Sequence, residues 1–240
     1  MLPVPSIARR WVLTVVSLGA LLGVVPAGAA HAVAGNPVLV VGGYQADQAK
    51  LDDLVAYLSS QGHPAYSTQL AGNPAGTAGI AQSAQVVADR VAAIRAATGA
   101  ARVDVVGHSM GGLAQRHYIK FLGGLAQTGT YVSVGTAEKG DALGWACYVY
   151  QGCRDLVPGS AFLNQLNAAP AVPPGLPAYH LYSEQGTGEK EPLPGAANAS
   201  VQAYCAGRVV QHADEPVDRA MQQLIVSALR GGPLATTCPA

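Results

Sequence analysis

The pentapeptide Gly107-His108-Ser109-Met110-Gly111 sets one serine between two glycines, where the run Val103-Asp104-Val105-Val106 gives way to a helical pattern. G-x-S-x-G between a strand and a helix suits a nucleophile. A turn tight enough to lift the hydroxyl above the sheet edge strains the serine backbone. It also leaves no room for side chains two positions to either side, hence glycine at both. The hydroxyl then stands over a helix N-terminus, and the N–H of Met110 points where an oxyanion would develop. Outside that setting the same residues are only a glycine-rich turn, of the kind that cradles a phosphate.

A serine hydroxyl is a poor nucleophile near neutral pH and needs a base. Where such an elbow tops a parallel sheet, an acid and then a histidine follow it along the chain. His63 sits in a turn before Pro64, His108 adjoins the serine, His117 rides the next helix, and His180 lies within a strand. His212, on the loop before the last helix, is the candidate base. The acid should come from the loop after the strand ending near Ser183. There SEQGTGEKEP offers Glu184, Glu189 and Glu191 and no aspartate. A carboxylate accepting from Nδ1–H would fix the tautomer of His212, although each glutamate also reads as solvated loop charge. A second oxyanion donor is expected from the N–H of Tyr44, after Gly42-Gly43, which otherwise is a plain glycine turn.

The elements that must position these residues alternate. Apolar runs predict strands at 37–41, 65–70, 102–107, 130–136, 178–183 and 201–205. Helical periodicity marks Leu51, Leu54, Val55 and Leu58 behind an Asp47 cap, then Ile80, Val87, Val91 and Ile94. Further helices are expected from Met110 to about Leu122, over Ser160 to Asn167, and from about Pro216 to Arg230, the last with Val217, Met221, Leu224, Ile225 and Ala228 on one face. Alternation of this kind implies an α/β fold with a mainly parallel sheet covered on both faces. Between Ala137 and Pro177 the periodicity fades, as in segments that carry function.

Residues 1–32 read as a secretory signal peptide: Arg9 and Arg10, an apolar run from Trp11 to Val25, then Ala30-His31-Ala32 as a cleavage signal. Residues 33–240 are then one secreted catalytic domain. Removing Arg9 and Arg10 from 14 basic residues leaves 12 against 14 acidic ones, a formal charge of −2. No basic stripe serves nucleic acid, and no stable membrane anchor is expected. Four cysteines allow three pairings. In an oxidising compartment, Cys147 with Cys153 and Cys205 with Cys238 is the favoured set, with free thiols or zinc as the alternatives. No C-x2-C pair supports a metal.

The stretches VDVVGHSMGGLAQRHYIKFLGG, VSVGTAEKGDALG, CRDLVPGSAFLNQLN and VQAYCAGRVVQHADEP together resemble secreted bacterial lipases of the small α/β-hydrolase type, the class 2 triacylglycerol lipase group. The resemblance implies a carboxylic-ester hydrolase acting on an acyl ester or lipid, without cofactor or metal and as a monomer. It carries the base role to His212 and supports the Cys147–Cys153 bridge. Two departures stand out. Relatives have His-Gly where this chain has Gly42-Gly43. They also place aspartates in a segment like SPDDGT where it reads SEQGT, so that Glu184 is the expected acid and Glu189 the alternative. A lid would have to come from 137–177, and one held shut by a bridge favours soluble or short-chain esters. The rival readings are an acyltransferase with the same triad and a degraded hydrolase scaffold that only binds.

Overall fold

Alternation along β1, Val38–Val41, sends Val38 and Val40 to one face of the sheet and Leu39 and Val41 to the other, all four fully buried. That pattern calls for cover on both faces, and a computed structural model of the chain, describing residues 35–239, supplies it. Six parallel strands run in the order β2-β1-β3-β4-β5-β6. The others are β2 Ala65–Thr68, β3 Val103–His108, β4 Thr128–Val134, β5 Ala178–Tyr182 and β6 Ala197–Ser200. On one face, Leu39, Val41, Val105 and Tyr131 pack with α2, Ile80–Thr98, and α3, Met110–Phe121. On the other, Val38, Val40, Val106 and Val132 pack with α1, Gln48–Ser60, and α6, Arg219–Leu229. Two shorter helices, α4 Gln151–Leu156 and α5 Ala161–Asn167, lie between β4 and β5 in the chain.

Strand order reverses between β1 and β3, so the chain leaves their carboxyl ends in opposite directions and opens a crevice there. Both the Gly42-Gly43 loop and the Ser109 turn begin at that crevice. Cys147 is joined to Cys153, tying the turn of 3-10 helix before α4 to α4 itself, and Cys205 to Cys238, which pins the segment after α6. Among the described residues no helix is long and apolar enough to cross a membrane. The expected signal peptide lies outside the described residues.

Helix α4 was not expected from the sequence, and two further elements differ from that reading. The last strand is Ala197–Ser200, and Val201–Ala203 is a 3-10 turn capped by the Ser200 hydroxyl, which accepts from the Ala203 N–H at 3.1 Å. The apolar residues there, Val201 and Cys205, are four apart and both buried, a helical spacing that resembles a strand only in composition. The final helix starts at Arg219, not near Pro216, because Asp218 caps it by accepting from the Met221 N–H at 2.9 Å.

Candidate active site

Ser109 holds φ +56° and ψ −128°, the strained conformation expected of the turn. A Cβ at Gly107 would lie 2.5 Å from the Gly112 nitrogen, and one at Gly111 would run into the carbonyls of Val41 and Gly42. The flanking glycines are therefore dictated by crowding of backbone on backbone. β4 braces the turn: the Ser109 N–H donates to the Val134 carbonyl at 2.8 Å, and the Thr136 hydroxyl to the Ser109 carbonyl at 2.9 Å. Met110 is the first residue of α3, so helix geometry gives its N–H no acceptor within the helix. Gly43 packs directly over the serine, where a Cβ would stand 2.7 Å from Ser109 Cβ. That carries Tyr44 to the same place, and Tyr44, Ser109 and His212 line both cavities that flank the serine.

His212 lies on the loop into α6, with Nε2 3.0 Å from Ser109 Oγ. Three contacts hold that loop. Lys50 on α1 donates to the Ala213 carbonyl and to Asp214, at 2.8 and 2.7 Å. The Ser183 hydroxyl donates to the Val210 carbonyl at 2.7 Å. Nε2–H of His108 donates to the His212 carbonyl at 2.9 Å, which gives the serine's neighbour a supporting place. Nδ1 of His212 faces two carboxylates, Glu189 Oε1 and Glu215 Oε2, each at 3.4 Å. In the neutral imidazole the nitrogen facing them carries the proton, which leaves Nε2 to accept from the Ser109 hydroxyl.

The structure does not bring Glu184 to His212. Its carboxylate is turned to the edge of the sheet and accepts from the Ser200 hydroxyl at 2.8 Å. Glu191 pairs with Lys139 at 3.0 Å on the surface. Glu189, the alternative, is fully buried, and His180 on β5 holds its backbone, Nε2–H donating to the Glu189 carbonyl at 2.8 Å. Sequence reasoning passed over Glu215, because it follows the histidine where the expected order puts the acid before it. The signal was nonetheless there: a glutamate three residues from His212, followed by a proline. Burial pushes Glu189 up, to about 7. Burial also pushes at Glu215, but His108, His212 and Glu189 close beside it outweigh that and hold the carboxyl down. Burial opposes the His212 imidazolium, yet the two carboxylates prevail and raise it to about 10.

Two cavities meet at the serine. The larger, about 370 Å³, is walled by Met110, Ala137, Leu143, Ala146, Leu156 and the Cys147–Cys153 bridge, and the smaller, about 190 Å³, by Gln45, Asp47, Lys50 and Pro216 among others. Among the described residues the group with metal-ligand types is His108, His212 and Glu215. His108 Nε2 is engaged on a carbonyl and His212 Nε2 on Ser109, while His212 Nδ1 faces the carboxylates, an arrangement that suits proton transfer.

The family described as lipase (class 2) matches residues 35–190. Among solved structures, Aspergillus fumigatus lipase B is similar at 18% identity and TM-score 0.69, over 84% of this chain and 54% of that one. The mature Bacillus licheniformis lipase BlEst2 follows at 13% and 0.58, over 70% and 84%. MGS-MChE2, an α/β hydrolase from a lagoon-sediment metagenome at Mar Chica, Morocco, gives 12% and 0.56, over 82% and 91%. These likenesses establish an α/β-hydrolase fold. The chain spans about half the length of the Aspergillus lipase. No match was found among curated protein sequences.

Proposed function

Because the chain belongs to the class 2 lipase family, we propose that it hydrolyses carboxylic esters through an acyl-enzyme on Ser109. The observation that carries this reading is the 3.0 Å contact between His212 Nε2 and a serine hydroxyl held in a strained, glycine-flanked turn. Ser109 Oγ attacks the ester carbonyl while its proton passes to Nε2. The N–H groups of Met110 and Tyr44 receive the oxyanion, and the imidazolium returns the proton to the leaving alcohol. Water, deprotonated by the same nitrogen, then releases the acid. The apolar walls of the larger cavity suit the acyl group, and the smaller one, with Gln45, Asp47 and Lys50 in its wall, suits the alcohol. A cavity of about 370 Å³ is at the small end for a ligand site, which supports short acyl chains.

The same reading takes residues 1–32 as a cleaved export signal and 33–240 as one secreted domain, with the two disulfides as support. The test is hydrolysis of p-nitrophenyl esters of increasing acyl length by residues 33–240, beside Ser109→Ala. Turnover is expected to peak at short chains and to vanish with the substitution. A Ser109→Ala chain that keeps its rate refutes the mechanism, and a preference for long-chain emulsions refutes the substrate class.

A further inference from the structure

Two glutamates stand behind His212 where a triad needs one. Glu189 arrives from the loop after β5, and Glu215 lies three residues past the histidine; both are fully buried. Backbone closes over them from two sides. A Cβ at Gly135, after β4, would overlap Glu215 Oε2 and stand 2.8 Å from Glu189 Oε2, and one at Gly186 would overlap the Glu189 carboxyl. Both groups thus converge on one small, dry space. Glu215 Oε1 accepts the Ser183 N–H at 2.9 Å, and its Oε2 lies 3.5 Å from His108 Nε2. Neither oxygen of Glu189 has a closer hydrogen-bond donor.

Like charges this close in a desolvated site do not both ionise. We infer that Glu189 and Glu215 share one proton and together position His212 as a single negative charge, either carboxylate alone sufficing for the role. The inference rests on the ester-hydrolase reading of Ser109 and His212. With both groups ionised, His212 would be held as imidazolium and could not take the Ser109 proton. With one proton between them, the Nδ1–H faces the single charge of an ordinary triad acid. The elevated Glu189 and depressed Glu215 agree with a proton lodged on Glu189. Around the pair, His108 comes from β3 and His180 from β5. The nearest other charges are neutralised: Glu138 by Arg116, Asp214 by Lys50 and Glu191 by Lys139.

The test reads a proton and a rate. Infrared absorption of the folded chain at about pH 6, where ordinary carboxyls have ionised, is expected to show a carboxylic-acid carbonyl band. That band should fade as pH rises past about 7 and be missing from Glu189→Gln and from Glu215→Gln. Each single variant is expected to keep kcat/KM for a soluble ester within about tenfold. Each should also leave the acid limb of its pH profile nearly in place, because a single negative charge still faces the imidazolium, whereas the double variant moves that limb to lower pH. The double variant is expected to lose roughly 10⁴-fold. A single variant as inactive as the double overturns the proposal, as does a folded native chain without the band. Failure of the hydrolase reading looks different: Ser109→Ala would keep its rate, removing the role of the pair while the band persisted.

Discussion

Gly42 and Gly43 sit side by side after β1, yet a methyl group should harm them in opposite ways. Neither occupies the left-handed region, so alanine suits both backbones and only space decides. At Gly43 the new carbon would lie 2.7 Å from Ser109 Cβ and 3.1 Å from its Oγ, about 0.7 Å short of the 3.4 Å at which ordinary contact begins. Ser109 is braced by β4 and cannot yield, so the loop bearing Tyr44 must lift. A displacement approaching 1 Å at a reacting centre costs about 10²-fold, which matches the loss of one oxyanion donor. At Gly42 the carbon's nearest neighbours would instead be Ala46 Cβ at 2.7 Å and Leu51 Cδ1 at 2.9 Å, with no atom of the serine among them. That is overpacking, worth about 1–3 kcal/mol. We therefore expect Gly43→Ala to cut kcat on a soluble p-nitrophenyl ester about 100-fold with nearly native KM and Tm. Gly42→Ala should lower Tm and leave kcat within a few fold. A Gly43→Ala enzyme with native kcat and a Tm loss equal to that of Gly42→Ala would refute the assignment of the oxyanion loop.

Stability should follow pH through the buried acids. A carboxyl raised in the folded state supports the fold below its ordinary pKa of 4.5, and that support is lost as pH climbs to about 7. Glu189→Gln should therefore gain Tm relative to the native chain between those limits, whereas Glu215→Gln, removing a depressed carboxyl, should lose support above 4.5; thermal melts across pH 4–8 decide. Breaking the Cys205–Cys238 link, which closes a span of 33 residues, should cost about 3–4 kcal/mol. In Cys205→Ser/Cys238→Ser this should lower Tm by on the order of 10 °C with kcat unchanged; a lost kcat would mean that the tail supports the site. Arg116→Ala strands Glu138, fully buried and paired at 2.8 Å, so a loss of about 3–5 kcal/mol is expected in urea unfolding. Leu143→Phe, narrowing the larger cavity, should move the acyl preference to shorter chains, each excluded methylene weighing about 1–3 kcal/mol.

What could be read from the sequence is what local physics dictates. The turn at Ser109 was legible because crowding allows only glycine at 107 and 111, and β1 because burial on both faces leaves an unbroken apolar run. The helices showed themselves through Leu51, Leu54 and Leu58, and through Ile80, Val87, Val91 and Ile94, all buried. The edge strand Ala197–Ser200 did not, since Ala-Asn-Ala-Ser has no β-branched or large apolar side chain and pairs only because β5 offers an open edge. Helix α4 was hidden in the same way, being six residues long and fastened by a bridge.

The acid was the least legible part, and its misplacement has a physical cause. Local sequence likeness favoured Glu184, whose backbone does follow β5, but which carboxylate reaches a histidine depends on where two distant loops are sealed. Gly186 leaves just the room that Glu189 fills, and Gly135, from a third loop, leaves the room for Glu215. Those two glycines, not the glutamates, mark the pocket. A glutamate side chain is one methylene longer than aspartate and must be immobilised to orient an imidazole. Roofing two of them with backbone at a single nitrogen fixes both, and a shared proton keeps the charge that the base has to meet at one. The paired glutamates of this chain thus answer the demand of the base, a single dry negative charge at Nδ1, from two places in the sequence.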